Sequence, residues 1–293
     1  MTMFRNVLVG VDGSAGGRDA LALASRLTDP AGKLTLVHVH SEQVYLLPAL
    51  AAAGALADQS ADADGENRSR ELLRQEREAA GVDADLLSVS SPSPGEGLHR
   101  EAEARDAKLL VVGSSRRGLL GRAMLGDDTR AALNGAPCAV AIAAHGFAER
   151  PRPIVNVGVG YDGSPESEAA LALARTLSGR DGDVRALQVV SIPSYAVGAA
   201  FAPELGDTID TMVAEAQEGI DQLPGVQGRA VYGMPGEELA SFSAELDLLV
   251  VGSRSYGPLR RAMLGSTSNH LERHARCSLL VLPRGAGEPE QPR

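Results

Sequence analysis

The amino-acid sequence contains a long internal repeat, and this repeat constrains the fold more than any other feature. The motif VxVGxDGS spans Val7–Ser14 and recurs at Val157–Ser164. Farther along, LLVVGS spans Leu109–Ser114 and recurs at Leu248–Ser253. A repeat of this size predicts two homologous domains, since each copy is long enough to bury a core of its own.

In both copies, short runs of β-branched residues alternate with helical stretches rich in alanine and leucine, which is the pattern of parallel βαβ units. This pattern predicts an α/β fold with two tandem, doubly wound, five-stranded parallel sheets of the Rossmann-like type. The first copy's strands are expected near Asn6–Val11, Lys33–Val39, Ala84–Val89, Lys108–Val112 and Cys138–Ala143. The second copy's strands are expected near Val155–Tyr161, Val184–Val190, Gly228–Tyr232, Asp247–Val251 and Ser278–Leu282.

Polar, proline-containing stretches between the predicted elements predict where the domains begin and end. We expect a first domain over residues 1–145, a polar, proline-broken linker over 146–153, a second domain over 154–284 and a disordered tail over 285–293. An amphipathic helix is expected over Gly65–Ala80. The low-complexity run Tyr45–Asn67 is interpreted either as a mobile flap or as the loosely packed entry to that helix.

Charge and hydropathy exclude several classes of partner. The formal net charge of −10 argues against nucleic acid or an anionic membrane surface. No apolar run approaches the roughly 18 residues that a membrane-spanning helix needs. The N-terminal residues run directly into a strand-like segment without the features of a signal peptide. We therefore expect a cytoplasmic protein that binds neither nucleic acid nor membrane.

Cysteine and histidine give little support to catalysis or metal binding. Cys138 and Cys277 occupy matching positions before a terminal apolar run and are interpreted as small buried residues, with redox or metal-binding roles as the alternatives. No histidine recurs between the copies, so His38, His99 and His270 are interpreted as surface or packed side chains. We predict no catalytic residue and no metal ligand.

The repeated motifs fall where an open parallel sheet binds ligands, outside the carboxyl ends of its first and fourth strands. The first strands end at Asp12 and Asp162, and the fourth strands end at Gly113 and Gly252. Glycines allow the backbone to approach a ligand closely. These positions therefore predict a ligand site at the point where the strand order reverses.

After each fourth strand, a long glycine-bearing loop opens the next helix, whose N-terminal N–H groups attract anions. In the second copy Ser266 or Thr267 is expected to cap that helix and to offer hydroxyls to phosphate. The segments Gly113–Gly126 and Gly252–Gly265 each hold three arginines and no acid. This pattern predicts a phosphate cradle; the alternative is a solvated loop whose arginines aid solubility.

Each half resembles a universal stress protein domain, and the chain is similar to the tandem two-domain members of that family. The resemblance rests on VGVDGS followed by ALALA, on LLVVGS, on the RAMLG turn and on the HARC and GAPC entries to the last strands. It implies an ATP site in which adenine and ribose contact the first-strand Asp and the end of the second strand. The phosphates would lie on a rear motif of Gly, two residues, Gly, nine residues, Gly, then Ser or Thr.

The family's binding residues carry over unequally to the two copies. The second copy supplies Asp162, Val189, Val251, Gly252, Gly265, Ser266 and Thr267, with Ser255 in place of the second glycine. The first copy supplies Asp12, Val39, Val112, Gly113 and Gly126.

Two departures put phosphate binding by the first copy in doubt. Arg116 replaces the second glycine, and Asp127 replaces the Ser or Thr. A carboxylate about 5 Å from a phosphate charge is repelled by about 3 kcal/mol at an effective dielectric constant of about 20. Either Asp127 and Asp128 cap a helix and the site is weakened, or arginines or a bridging Mg²⁺ compensate.

These observations predict a regulatory module that binds adenine nucleotide, mainly in the second domain. Two alternatives are open: a slow ATPase, and a nucleotide-free module that acts through protein–protein contacts. The family resemblance also implies pairing of the two last strands, further association into a homodimer, and an unidentified protein partner. Ser14–Asp19 faintly resembles the SGGxDS loop of ATP pyrophosphatases but lacks its first glycine and its final serine.

Overall fold

A computed structural model describes residues 4–40, 59–114, 131–132, 134–150, 153–192, 202–253 and 265–283, with the backbone alone described over 59–64 and 202–205. The strands are β1 Phe4–Gly10, β2 Thr28–His40, β3 Asp85–Ser90, β4 Leu109–Gly113, β5 Ala139–Ala143, β6 Asn156–Gly160, β7 Asp183–Val190, β8 Gln227–Tyr232, β9 Leu248–Gly252 and β10 Ser278–Leu282. The helices are α1 Ala15–Leu27, α2 Gln59–Ala80, α3 Pro94–Ala104, α4 Pro165–Ser178, α5 Ala202–Asp221, α6 Pro235–Phe242 and α7 Ser266–His274, with a short 3₁₀ turn at Ser243–Glu245.

The described strands form one sheet in the order β3-β2-β1-β4-β5-β10-β9-β6-β7-β8. Pairing is parallel within each half, which confirms the predicted α/β fold with doubly wound parallel strands. The expectation of two separate sheets is corrected, because β5 and β10 pair antiparallel and join the halves into one sheet. All five residues of each joining strand are buried, so this pairing removes two apolar edges from solvent.

Hydrophobic side chains cover both faces of the sheet. Val7 and Val9 of β1 pack in one core cluster with α1, α2 and α4, whereas Leu8 packs in a second cluster with α3, α6 and α7. Each cluster contains residues from both halves. The runs LLVVG of β4 and β9 are buried at four consecutive positions, as expected for strands covered on both faces.

The predicted helix over Gly65–Ala80 is confirmed, and α2 begins earlier, at Gln59. The last part of Tyr45–Asn67 is therefore helical, while residues 45–58 and the predicted tail lie outside the described residues. β2 begins at Thr28, five residues before the predicted start, because its register against β1 steps from Phe4↔Thr28 to Asn6↔Lys33. This irregular pairing accommodates Pro30 and Gly32, residue types that are uncommon inside strands.

Candidate functional site

The candidate site begins at the turn after β6, where Asp162 organises the start of α4. The Oδ1 atom of Asp162 accepts hydrogen bonds from the backbone N–H of Ser164 at 3.1 Å and from the Ser164 hydroxyl at 2.5 Å. The Ser164 Oγ atom in turn accepts from the Ser167 N–H at 3.2 Å and caps α4. Gly163 has φ +74°, a backbone conformation that favours glycine. The motif DGS is therefore a turn and a helix cap in one unit.

The end of β9, the strand that pairs with β6, forms a second wall of the site. A Cβ atom placed on Gly252 would lie 2.7 Å from the Cβ atom of Glu166, so this glycine allows β9 to pack against the first turn of α4. This packing role is additional to the predicted ligand contact, since Gly252 also lines the cleft. Ser253 follows, and its N–H donates to the Leu282 carbonyl at 2.9 Å.

The N-terminus of α7 presents backbone N–H groups without a side-chain cap. Gly265 is the N-cap residue, and since glycine has no side chain it makes no side-chain capping hydrogen bond. The expectation that Ser266 or Thr267 caps this helix is wrong, because both residues already lie within its first turn. No acidic residue occupies that turn, and among the described residues no atom beyond its chain neighbours lies within 4 Å of a Cβ placed on Gly265. An uncapped helix start of this kind favours an anion.

An open cleft of about 380 Å³ lies between the turn after β6, the end of β9 and the start of α7. This volume is in the usual range for small-molecule sites. The predicted residues of the second copy that the structure describes all line it: Asp162, Val189, Val251, Gly252, Gly265, Ser266 and Thr267. Ser255 lies outside the described residues, as do the arginines at positions 254, 260 and 261.

Ten residues without a predicted binding role also line the cleft, two of them (Ser164 and Ser253) within the predicted motifs: Gly160, Tyr161, Ser164, Glu166, Ser167, Leu187, Pro235, Leu239, Ser253 and Ser268. Leu187, Leu239 and Val251 are buried and give the cleft an apolar side. One sequence signal could have found part of this set. The tripeptide PGE opens both α3 and α6, at Pro94 and Pro235, so the repeat includes a third matching helix start.

Tyr161 adds a feature that the first half lacks, since Val11 occupies its position in that copy. Its phenol donates a hydrogen bond to the Glu168 carboxylate. This bond favours the neutral phenol and raises the pKa of Tyr161 to about 12. The cleft therefore carries a tyrosine held by α4, the helix that Ser164 caps.

In the first half, the same turn is built around Asp12. Its Oδ1 atom accepts from the Ser14 N–H at 3.0 Å and from the Ser14 hydroxyl at 2.6 Å. A Cβ atom on Gly113 would lie 2.3 Å from the Gly16 carbonyl oxygen, so β4 also packs closely on its first helix. Asp12 is exposed, while Val39 and Val112 lie near the ends of β2 and β4, the strands on either side of β1.

The rear loop of the first half lies outside the described residues. This loop contains Gly126, Arg116, Asp127 and Asp128.

The segment Ser14–Asp19, which faintly resembles a pyrophosphate loop, ends in an acid with a structural role. Asp19 is 3% exposed, and its two carboxylate oxygens accept hydrogen bonds from the backbone N–H groups of Gly146 and Ala148, at 2.8 and 2.7 Å. These residues belong to the predicted linker. Asp19 therefore fixes the connection between the halves and does not point to a ligand.

Both cysteines are buried at the start of the last strand of their half, as predicted. Burial raises the pKa of each thiol to about 12, which makes both thiols poor nucleophiles at neutral pH. In the described part of the chain, no group of three or more His, Cys, Asp or Glu side chains could hold a metal ion.

The histidines pack as expected. A ring nitrogen of His38 lies 2.7 Å from the Val11 carbonyl, and one of His99 lies 2.7 Å from the Ala132 carbonyl. His270 stacks on His274.

Among the helices in the described ranges, none is long and apolar enough to cross a membrane.

Comparison with known proteins gives the family. A universal stress protein of Mycobacterium tuberculosis is 32% identical over 291 residues, which covers 94% of this chain and 96% of the relative. A universal stress protein of Mycolicibacterium smegmatis is 28% identical over 289 residues, with 94% and 96% covered. A solved universal stress protein from Archaeoglobus fulgidus shares the fold, with a TM-score of 0.64 at 19% identity over 95% of this chain and 98% of that one. The model of the universal stress protein family matches residues 3–144 and again 154–283, and the chain therefore belongs to this family in tandem form.

Proposed function

We propose that this protein is a regulatory module of the stress response that binds ATP in the C-terminal cleft. One observation carries the proposal: the uncapped start of α7 faces the same cleft as Asp162 and an apolar wall. An adenine nucleotide needs these three environments together. Its base needs an apolar surface, its ribose hydroxyls need an acceptor, and its phosphates need N–H donors.

In this proposal Val189 and Val251 contact the base, Asp162 accepts from the ribose, and Gly265, Ser266 and Thr267 bind phosphate. Ser255 belongs to the same phosphate loop. Binding would stabilise the occupied state by mass action and make it recognisable to a protein partner. A cytoplasmic location, a homodimer and a weak or absent nucleotide site at Asp12, Val39, Val112, Gly113 and Gly126 belong to the same proposal.

Titration of ATP by calorimetry into wild type, Gly265→Trp and Gly126→Trp tests the proposal. No described atom crowds a Cβ placed on Gly265, so that an indole there should fill the cleft without disturbing the fold. We expect Gly265→Trp to weaken binding by about a hundredfold or more, equivalent to about 3 kcal/mol, and Gly126→Trp to leave it nearly unchanged. Equal loss in both variants, or no binding by the wild type, would refute the assignment.

A second candidate function is a nucleotide-free module that acts through protein contacts. The observation that favours it is Ser255, which stands where nucleotide-binding members of the family have a glycine. The same titration separates the two functions, because this candidate requires that the wild type bind no adenine nucleotide.

A further inference from the structure

The two outer strands of the sheet, β3 and β8, differ in how their free edges are treated. Among the described strands, none pairs with the outer side of either. On the inner side both pair in parallel, β3 with β2 and β8 with β7. An edge of this kind is a template for another strand unless the protein covers it.

The pairing of β3 with β2 decides which backbone groups of β3 point away from the sheet. In a parallel pair, alternate residues turn their N–H and C=O groups towards the neighbouring strand and away from it. The Ser91 N–H donates to the His40 carbonyl of β2 at 3.1 Å, so that Ser91 points inward. Counted back along the strand, the residues that point outward are Ser90, Ser88 and Leu86.

The outward backbone groups of β8 are occupied by a side chain of α5. Counted in the same way from the inward N–H of Gly233, Gly228 and Ala230 point outward. The Oε1 atom of Gln217 accepts from the Ala230 N–H at 2.8 Å, and its Nε2 atom donates to the Gly228 carbonyl at 3.3 Å. Arg229 lies between them and is exposed, so that two paired β8 strands would place like charges opposite each other. The β8 edge is therefore closed to strand addition.

The β3 edge has no such side chain on its backbone. Ser69 of α2 takes the place of Gln217 beside the strand, but its hydroxyl accepts from the Ser88 hydroxyl at 2.8 Å. In the described part of the chain, the outward N–H and C=O groups of Leu86 and Ser88 have no hydrogen-bond partner. This edge therefore offers backbone groups that a further strand can satisfy.

The β3 edge is complementary to a second copy of itself. When two β3 strands pair antiparallel with Leu87 opposite Leu87, the outward groups of Leu86 meet those of Ser88 on the second copy, and the reverse pair is identical. Leu87 pairs with Val37 of β2 as Arg229 pairs with the matching residue of β7, so the charge that opposes pairing of β8 is absent here. The two half-buried leucines would instead form an apolar cross-strand contact.

The charges at the two ends of β3 also favour this antiparallel arrangement. Asp85 begins the strand and pairs with Lys33 at 2.7 Å. At the other end, Arg100 of α3 donates to the Ser90 carbonyl at 3.1 Å. Antiparallel pairing brings the start of one β3 beside the end of the other, so that Arg100 approaches Asp85 of the second copy. Opposite charges across a strand pair stabilise it.

We infer that β3 is the surface through which two copies of this chain associate, as a symmetric dimer with antiparallel β3 strands at its centre. Because β8 is closed, association stops at two copies instead of continuing into a filament. This inference deepens the proposed function by naming the surface of the homodimer. It does not depend on nucleotide binding in the C-terminal cleft.

Sedimentation equilibrium of the full chain over a range of concentrations measures the association of wild type and of three variants. Ser88→Pro removes an outward N–H and leaves the inward hydrogen bonds with β2 in place. Leu87→Arg gives β3 the residue type of the matching β8 position and leaves every backbone N–H intact. Ser88→Ala is the matched control, because it loses the hydroxyl but keeps the N–H. Thermal unfolding of each variant checks that it is folded.

We expect wild type and Ser88→Ala to form a dimer, and Ser88→Pro and Leu87→Arg to associate at least about tenfold more weakly. Hydrogen exchange identifies the surface. In the wild type, the amides of Leu86 and Ser88 should exchange more slowly as the concentration rises, whereas the amide of Ala230 should not change.

A monomeric wild type would overturn the inference. A dimer that both Ser88→Pro and Leu87→Arg leave intact, or a dimer in which the Leu86 and Ser88 amides exchange equally fast at all concentrations, would also overturn it. These results would leave the proposed ATP site untouched. Conversely, a wild type that dimerises through β3 but binds no ATP in the calorimetric titration would refute that site and support this inference.

Discussion

The two halves of this protein build the same turn and then line it with different side chains. Asp12 and Asp162 each accept two hydrogen bonds from the serine two positions later, and those serines cap α1 and α4 in the same way. The divergence begins on the next helical turn. The first half has Gly16 and Asp19 there, whereas the second half has Glu166 and Ala169.

This difference separates what the fold requires from what the cleft can vary. The turn and the strand glycine are kept in both halves because they position the first helix against the sheet. The side chains of that helix's first turns are not needed for the contact. One half uses them to hold the linker through Asp19, and the other places a carboxylate in the cleft through Glu166.

The largest difference in stability between matching variants of the two halves is expected for Gly113 and Gly252, the glycines that end β4 and β9. Alanine at Gly113 would bring its Cβ atom to 2.3 Å from a backbone oxygen, whereas alanine at Gly252 would meet the Glu166 Cβ atom at 2.7 Å. We expect Gly113→Ala to lower the free energy of unfolding by about 3 kcal/mol and Gly252→Ala by about 1 to 2 kcal/mol. Urea denaturation followed by circular dichroism measures both values. The reverse order would contradict the packing role of these glycines.

A smaller loss of stability is expected when the hydrogen bonds between Asp19 and the linker are removed. Asp19→Ala leaves two N–H groups, those of Gly146 and Ala148, without their acceptor, and should cost about 2 kcal/mol. Hydrogen exchange should accelerate at these two amides. Asp83→Ala is the control, since Asp83 is exposed, and it should change stability by less than about 0.5 kcal/mol. Unchanged exchange in Asp19→Ala would show that the linker is held by other contacts.

The smallest effect on stability concerns Tyr161, which corresponds to Val11 of the first half. Its pKa of about 12 results mainly from the hydrogen bond to Glu168, so Glu168→Gln should lower this pKa towards 10. Because the folded state favours the neutral phenol, the stability from this bond is present below pH 10 and is lost as the pH rises through about 12. Absorbance titration of tyrosinate, with Tyr161→Phe to identify the transition, gives the value. An unshifted pKa in Glu168→Gln would exclude the bond as the cause.

Much of the fold could be predicted because local sequence patterns mark most of its strands. LLVVG is a continuous apolar run with a glycine at its end, and it forms β4 and β9 within one residue of the prediction. The early start of β2 could not be predicted, since Pro30 and Gly32 are typical of turns and only the irregular pairing with β1 keeps them in a strand. The joining of β5 to β10 was implied by the family resemblance alone, because it depends on contacts between distant segments that no local pattern shows.

The site was predictable where its residues belong to the repeated motifs, as for Asp162 and Gly265. Leu187 and Leu239 could not be assigned in this way, because their places in the cleft depend on how β7 and α6 pack beside the motifs. The capping error at Ser266 has a local cause. Serine is a common N-cap residue, but the helix begins one residue earlier than the hydroxyl suggests, with Gly265 as its cap.

The most direct test of a nucleotide site in the second half is a crystal structure of the full chain grown with ATP and MgCl₂. The account predicts nucleotide density in the C-terminal cleft, with the ribose at Asp162 and the phosphates at the start of α7. Density in the first half alone, at Asp12 and Gly113, or nucleotide bound elsewhere on the protein, would contradict it.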